Sequence, residues 1–396
     1  MNLIKFIFII VFIQVLVGQA ISTSKIIKPA IVLENMDPNA QVTFIGLEET
    51  RGEYRSAQAY CINKNKELIA KPNVFSLSPS ADSTHFISGA YYKDITGEGD
   101  PEIIFIITDP EKGTYIRSWS FSSGYNVKEE IHSPHFINKQ KASEVVASSI
   151  DIIYKDKDYE LVVCFGSPER KAVIIDYRGE INTTVIGKQF LENNVGLIEL
   201  ETRDFNKDGS SDIYILSNGE AKEEKIYYAQ EFKSTLSSKI NTKEKIQDVY
   251  FFSNTEEEFI KIILLKNDKF FIKEWEKHFN TETTSAHKII GQEENKLYVI
   301  NTKGDIITYV IDTTNKSIQK NNTKKSSFKN KEFDKIEFLY VNKNEILVSH
   351  NRSPEIAIEQ IDVVEPAEEL PQERAQELAQ EPAEESEETI STKTMG

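Results

Sequence analysis

The chain has 396 residues, with 63 acidic and 47 basic side chains and a formal net charge of −16. A chain of this length can bury a large core, whereas its acidic balance argues against a nucleic-acid surface, which needs clustered Lys and Arg. With only two cysteines, disulfides are excluded as the main source of stability.

The first twenty residues predict a secretory signal peptide. Lys5 provides the charged start, residues 6–17 form the apolar stretch, and Gly18-Gln19-Ala20 is a small-x-small cleavage site. An uncleaved membrane anchor is the alternative, although this stretch is short for a spanning helix. We expect a soluble mature chain that is secreted, bound at the cell surface or held in the lumen of the secretory pathway. Residues 21–40 are interpreted as a lead-in.

Short apolar runs then recur along residues 41–362. They begin near residues 103, 161, 213, 260, 297 and 346. A polar turn rich in Gly, Pro or Asn follows each run, as tight hairpins require. One earlier hairpin, Ala57 to Ile69, brings the count to seven. A repeat of roughly 40–50 residues built from short strands is typical of a β-propeller. The sequence predicts an all-β fold of seven blades, with six or eight as alternatives.

Two of these runs follow an acidic turn whose oxygen atoms have the spacing that calcium requires. In residues 94–102 the candidate ligands are Asp94, Thr96, Glu98, Asp100 and Glu102. In residues 204–212 they are the side chains of Asp204, Asn206, Asp208 and Asp212 and the carbonyl of Ser210. Each turn has glycine at its sixth position, which allows a sharp bend. We predict calcium at both turns, more firmly at the second, where three of the five donors are aspartates.

An EF-hand begins with the same spacing but needs a bidentate Glu at position twelve, on a helix. Here position twelve is Ile215, inside a β-type run. The turn therefore leads into a strand.

An acidic turn of this form before an apolar strand, once per blade, resembles the FG-GAP (VCBS-like) repeats of integrin α-subunit head domains. The resemblance implies that Ca²⁺ stiffens the blade and that a propeller face holds a protein or glycan partner, as in a cell-adhesion module. It covers roughly residues 41–362 and is best at residues 204–212.

Enzymatic function has little support in the sequence, and we expect no catalytic site. The chain has no G-x-S-x-G elbow, P-loop or dinucleotide-binding glycine pattern. Its one close histidine pair, His132 and His135, is interrupted by Pro134, which prevents a helical zinc pair. Two alternatives stay open: a propeller-based polysaccharide lyase or hydrolase, which needs an acidic pocket at the channel mouth, and a structural subunit of a larger complex.

Several local features complete the sequence interpretation. Cys61 and Cys164 fall in apolar runs of different blades and predict two buried thiols. The basic stretch Lys316 to Lys331 predicts an exposed inter-blade loop, with contact to an anionic glycan as the alternative. The N-x-[ST] sequons, which can be glycosylated in a secreted protein, lie at Asn182, Asn315, Asn321 and Asn351.

The last segment, residues 363–396, is rich in Glu, Pro, Ala and Gln. So few large apolar side chains cannot offset chain entropy, and the segment is predicted to be disordered. Residues 362–396 hold 11 acids and 2 bases, a net charge of 2 − 11 = −9. Much of the total negative charge therefore lies in this tail, and the total gives little information about partners.

Overall fold

The computed structural model is an all-β, seven-bladed propeller, which confirms the predicted fold and blade count. The structure describes residues 20–33, 39–78, 84–96, 101–122, 126–139, 144–154, 159–176, 182–193, 197–218, 222–228, 234–253, 259–281, 286–328, 336–342, 345–350 and 353–361. The predicted signal peptide and the acidic tail lie outside these ranges, except for Ala20. Within them, each blade is an antiparallel sheet of four main strands.

The strands are numbered in chain order, and the first of them, β1 (Ile21–Ser22), belongs to the last blade. Blade one contains β2 (Ile27–Val32), β3 (Ala40–Thr50), β4 (Glu53–Asn63) and β5 (Leu68–Ala70), with β6 (Ser76–Leu77) paired to β4. Blade two contains β7 (Phe86–Lys93), β8 (Glu102–Asp109), β9 (Gly113–Ser122) and β10 (Asn126–Asn138). Blade three contains β11 (Val145–Asp151), β12 (Glu160–Phe165), β13 (Ala172–Asp176) and β14 (Asn182–Ile186). Blade four contains β15 (Leu197–Arg203), β16 (Asp212–Asn218), β17 (Glu223–Tyr227) and β18 (Ser234–Lys239).

Blade five contains β19 (Ile246–Ser253), β20 (Phe259–Leu265), β21 (Lys269–Ile272) and β22 (Lys277–Asn280). Blade six contains β23 (Ala286–Glu293), β24 (Lys296–Asn301), β25 (Ile306–Asp312) and β26 (Ser317–Lys324). Blade seven contains β27 (Ile336–Asn342), β28 (Glu345–His350), β29 (Ser353–Gln360) and β1. Among the described residues, the helical segments are α1 (Lys188–Asn193) and a 3₁₀ turn (Lys273–Trp275).

The core consists of seven apolar layers, each between two neighbouring blades. Successive side chains of a strand point to opposite faces of its sheet, so the second strand of a blade contributes to two layers. In β8, Ile103 and Phe105 pack toward blade one, whereas Ile104 and Ile106 pack toward blade three. This burial on both faces explains why the second strands are continuous apolar runs in the sequence.

The first strands of neighbouring blades contact one another and surround the central channel. Many of their positions are half-buried; β19, for example, is buried at Ile246, Phe251 and Phe252 and half-buried at its other five positions. The half-buried positions are therefore available to line the channel.

Blade seven is completed by the start of the chain. Ile21 pairs with Ile356 and Ser22 with Glu355, while the amide of Thr23 donates to the carbonyl of Pro354 at 2.6 Å. The strands β1 and β2 both lie in residues 21–40, which the sequence interpretation treated as a lead-in before the propeller. These residues instead contribute strands to blades seven and one. The expectation was wrong because these short strands lack an acidic turn and a long apolar run.

Blade one also corrects the predicted hairpin series. The hairpin Ala57 to Ile69 joins the third and fourth strands, whereas the other six predicted turns join the second and third. The equivalent turn of blade one is Arg51-Gly52, and both residues have positive φ. The run Val42 to Leu47, interrupted by Thr43 and Gly46, is the true second strand of this blade.

The structure also tests the predictions for the two cysteines and for the basic stretch. Cys61 and Cys164 are both buried thiols, as expected, and burial raises the pKa of Cys164 to about 12. The basic stretch is a strand over most of its described part, because Ser317–Lys324 is β26, the outermost strand of blade six, and residues 325–328 follow it outside any strand. In the described part of the chain, no helix is long and apolar enough to cross a membrane.

Candidate functional site

The acids at the start of three second strands hold the loops that precede them. Glu102 accepts from the amide of Ile95 at 2.8 Å, and Glu160 accepts from the amide of Ile153 at 2.7 Å. Asp212 accepts from the amide of Phe205 at 3.0 Å. All three acids are at most 2% exposed. The acid at the start of each of these three second strands therefore anchors the loop between the first and second strands of its blade.

The loop of residues 204–212 brings its predicted oxygen donors together. Asp204 and Asn206 both accept from the amide of Asp208, at 3.0 and 3.1 Å. The second oxygen of Asp204 accepts from the amide of Gly209 at 2.9 Å, and this glycine has a φ of +88°. The side-chain oxygens at positions one and three of the turn thus lie side by side.

The remaining predicted ligands of this loop are close in the chain but differ in exposure. Asp208 accepts from the amide of Ser210 at 3.0 Å, and both Ser210 and Asp212 are buried. Among the described residues, no group of three or more His, Cys, Asp or Glu side chains is arranged to hold a metal ion. The calcium prediction for this loop therefore stays a prediction.

The loop of residues 94–102 can be followed only in part, because Glu98 and Asp100 lie outside the described residues. Thr96 donates to Glu102 at 2.7 Å. Burial raises the pKa of Glu102, and the neighbouring charge of Asp94 acts in the same direction. These three predicted ligands are therefore neighbours in the structure.

A different site lies in the channel, where the first strands of blades four to seven meet. A cavity of roughly 260 Å³, here called the channel cavity, has a wall of charged side chains: Glu199 and Glu201 from β15, Asp248 from β19 and Lys288 from β23. The aromatic side chains of Tyr250, Phe338 and Tyr340 complete its lining. The cavity combines apolar walls with a few convergent polar groups, as ligand sites commonly do.

The carboxyl groups of this cavity bind protons more tightly than usual. Burial raises the pKa of Glu199 to about 7, and the nearby charge of Asp248 adds to the effect. Burial also raises the pKa of Asp248 to about 6, although Lys288 and the amide of Ile289 act in the opposite direction. The pKa of Glu201 is raised as well, mainly by burial and against the effect of Arg203. Ionisation of these groups is therefore sensitive to a positive charge placed among them.

A second cavity of roughly 600 Å³, the outer cavity, shares Tyr250, Ile290 and Tyr340 with the first. Tyr340 is 41% exposed. A Cβ atom on Gly291 would lie 2.0 Å from the Tyr340 hydroxyl, and the φ of Gly291 is +150°. Only glycine lets the Tyr340 side chain lie this close to β23. The two cavities together form an aromatic-walled pocket in the channel.

Sequence analysis missed the channel cavity entirely. Its acids stand singly on strands from different blades, so no local motif links them. The available signal was the alternation of charged and apolar residues in β15, where Glu199, Glu201 and Arg203 occupy every second position. That alternation indicates a strand with one polar face, but not which blades bring such faces together.

The fold defines the class of this protein as a seven-bladed β-propeller. No family model matches the sequence, and no curated protein matches it. Membership of the FG-GAP family is therefore not confirmed.

Solved structures show the fold more directly. Sqt1 from Saccharomyces cerevisiae has a TM-score of 0.54 at 10% identity, covering 88% of this chain and 100% of that one. A chain of the Mitotic Checkpoint Complex has a TM-score of 0.55 at 8% identity, covering 87% and 94%. The structure of BBS1N in complex with ARL6DN has a TM-score of 0.52 at 9% identity, covering 88% of this chain and 95% of that one. At these identities the likeness concerns the fold alone.

Proposed function

We propose that this propeller is a binding module of the cell exterior or of the secretory lumen, and that it holds a protein or glycan partner at the mouth of its channel. The observation that carries the proposal is the aromatic-walled pocket formed by the channel and outer cavities. Tyr340 is one of four large apolar or aromatic side chains at least 40% exposed in the described part of the chain. An exposed aromatic beside a concave pocket is what recognition sites use.

Binding can be tested by selection against the full chain produced in a secreting host. A displayed library of random peptides and an array of glycans are offered to the immobilised protein and to two variants. Tyr340→Ala removes the ring at the pocket, whereas Val185→Ala truncates a 51% exposed side chain on an outer strand. We expect binders that survive Val185→Ala and are lost with Tyr340→Ala. Equal binding to both variants would refute a partner site at the channel mouth.

Calcium is the second part of the proposal. It is supported by the paired oxygens of Asp204 and Asn206 and by the position of the loop directly before a buried strand. Extracellular modules bind calcium weakly, with dissociation constants on the order of 10⁻⁴ to 10⁻³ M. Melting in millimolar calcium and then in excess chelator tests this directly. A melting temperature that is several degrees higher with calcium supports the loop as a metal site, and equal values argue against it.

A secretory route is supported by the charged, apolar and small-residue segments of residues 1–20. The predicted cleavage after Ala20 would leave β1 at the new N-terminus. Mass spectrometry of the protein recovered from the medium is expected to give a chain beginning at Ile21. Recovery only from the cytosol, with Met1 retained, would contradict this route.

A glycan-active enzyme is the second candidate, and one observation favours it. Glu199 and Asp248 line one cavity with pKa values raised to about 7 and about 6, as an acid and base pair could use. The test is release of reducing ends from a panel of polysaccharides by the wild type and by Asp248→Asn. Turnover by the wild type that disappears in the variant would favour the enzyme over the binding module.

A further inference from the structure

The channel cavity holds more negative than positive charge. Among the described residues, its lining includes the carboxylates of Glu199, Glu201 and Asp248 and the single ammonium group of Lys288. Glu201 has its own partner in Arg203, with 3.4 Å between the guanidinium nitrogen and the carboxylate oxygen. Two carboxylates and one ammonium group are left, so one negative charge in the cavity is not balanced.

The unbalanced charge falls on Glu199. Across the described part of the chain, its carboxylate makes no hydrogen bond and no ion pair, while Asp248 accepts from the amide of Ile289 at 2.7 Å. Lys288 forms no salt bridge with any described residue, and its ammonium group lies over the ring of Phe338, 5.6 Å from the centroid. A half-buried carboxylate without a donor is costly. Glu199 is therefore the group that gains most from a cationic ligand.

The aromatic walls suit a cation that also carries apolar atoms. Tyr250 and Tyr340 border both cavities, so a side chain entering from the outer cavity passes between them. A ring of the channel cavity already contacts a cation of the chain itself, because Arg203 lies 6.0 Å from the centroid of Phe251. Cations are attracted to aromatic faces, and the planar guanidinium group both stacks on rings and pairs with carboxylates.

We propose that the channel cavity binds the guanidinium group of an arginine side chain presented by the partner, with Glu199 and Asp248 as counter-charges and Tyr250 and Tyr340 as walls. This inference rests on the proposed binding function and names the chemistry of the partner. The segment that follows Ile361, a residue of the outer cavity, holds 11 acids and 2 bases. Its charge favours the same basic partner over long range.

Binding of this kind is coupled to protons. A guanidinium group beside Glu199 stabilises its charged form and lowers its pKa from about 7, so binding releases protons and tightens as the pH rises. The charged groups around Glu199 are Asp248 from β19, Lys288 from β23, and the Glu201–Arg203 pair on β15 itself. The pKa values of Glu199 and Asp248 are raised to about 7 and about 6, so the pH dependence between pH 5.5 and pH 8 is assigned to these two carboxyl groups.

The probes are N-acetyl-arginine amide and free agmatine, with N-acetyl-citrulline amide as the neutral isostere. Binding to the full chain is measured by isothermal titration calorimetry at pH 5.5 and pH 8, in two buffers of different ionisation enthalpy. We expect both cations to bind about tenfold more tightly at pH 8 and to release protons, and the citrulline compound to bind at neither pH. Binding of both compounds assigns the site to the guanidinium group that they share, whereas binding of agmatine alone would assign it to a free polyamine and overturn the proposal.

Three variants make the assignment specific. Glu199→Gln is expected to weaken arginine-amide binding about tenfold and to remove most of its pH dependence. Gly291→Ala, which displaces Tyr340, is expected to weaken binding at both pH values. Glu223→Gln changes an acid of β17, outside both cavities, and should leave binding unchanged. Thermal melts show whether each variant is folded.

The proposal is overturned if arginine amide fails to bind at millimolar concentration, if citrulline binds equally, or if Glu199→Gln binds as the wild type does. These results are separate from the peptide selection. Selected peptides that need Tyr340 but show no enrichment in arginine would leave the binding module standing and remove the arginine site. If the selection yields no binder but arginine amide binds as expected, the arginine site stands and the proposal of a peptide- or glycan-binding module loses its support.

Discussion

The chain uses buried acids in two ways, and their surroundings tell them apart. Asp212, at the start of the second strand of blade four, is fully buried and accepts hydrogen bonds from the amides of its own loop. Glu199, on the first strand of the same blade, has no hydrogen-bond partner in the part of the chain that the structure describes. An acid whose donors come from its own backbone stabilises the fold. One left without a donor costs stability, which a ligand can restore.

The largest expected effect concerns Asp212. Replacement by Ala leaves the amides of Phe205 and Asn206 without their acceptor and is expected to destabilise the protein by about 2–4 kcal/mol. Chemical denaturation of Asp212→Ala measures this, and Glu111→Ala, which truncates an exposed acid at the turn between β8 and β9, is the control. A loss as small as that of the control would mean that the loop does not need its anchor.

Substitution of Glu199 is expected to stabilise the protein, in contrast to substitution of Asp212. The pKa of Glu199 in the folded protein, about 7, lies above the ordinary value of 4.5. The contribution of Glu199 to stability is therefore greatest below its ordinary pKa of 4.5, and it is lost as the pH rises through its folded pKa of about 7. Glu199→Gln removes this loss and is expected to stabilise the protein by about 1–2 kcal/mol at pH 8, with little change at pH 4.5. Urea denaturation at both pH values is the measurement. A Glu199→Gln variant that is less stable than the wild type at pH 8 would show that Glu199 stabilises the fold, as Asp212 does.

A smaller effect is expected from calcium at the loop of blade four. Asp208→Ala removes a predicted ligand and is expected to cost about 1 kcal/mol more in millimolar calcium than in chelator. Ser211→Ala is the matched control, because Ser211 belongs to the same loop but is not a predicted ligand. Equal losses in calcium and in chelator for Asp208→Ala would argue that this loop has a purely structural role.

The smallest effect is expected from the tail. Deletion of residues 365–396 is expected to leave the melting temperature almost unchanged, because this acidic segment has few apolar side chains to bury. A clear drop in calorimetry would show that the tail packs on the propeller. The same deletion weakens the long-range attraction for basic partners, so slower association of arginine peptides at low salt is expected as well.

The fold was predictable because the second strands are buried on both faces. Runs such as Leu161 to Phe165 can be recognised without knowledge of their neighbours, and they located six of the seven blades. The first blade was out of register because Thr43 and Gly46 interrupt its run, and β1 was missed because two residues carry no periodicity. The loop anchors could be located from sequence, since acid and loop are adjacent in the chain.

The channel cavity could not be predicted, because its geometry depends on which first strands become neighbours. Glu199, Asp248 and Lys288 come from three different blades, and each is an ordinary polar position in its own strand. The pKa values of Glu199 and Asp248 depend on burial that only the assembled channel supplies. Local motifs therefore identified the turns of the propeller, while its pocket needed the assembled channel.

The pairing of β1 with β29 has a consequence for the order of folding. The strand β1 precedes all the other described strands, and its partner β29 belongs to the last blade of the ring, so β1 stays unpaired until that blade has been made. Ring closure is therefore the last step in forming the propeller, and it joins strands far apart in sequence, which makes it slow. Any peptide fused directly before Ile21 lies next to the β1–β29 pairing. It can therefore delay or block closure of a ring whose individual blades have already formed.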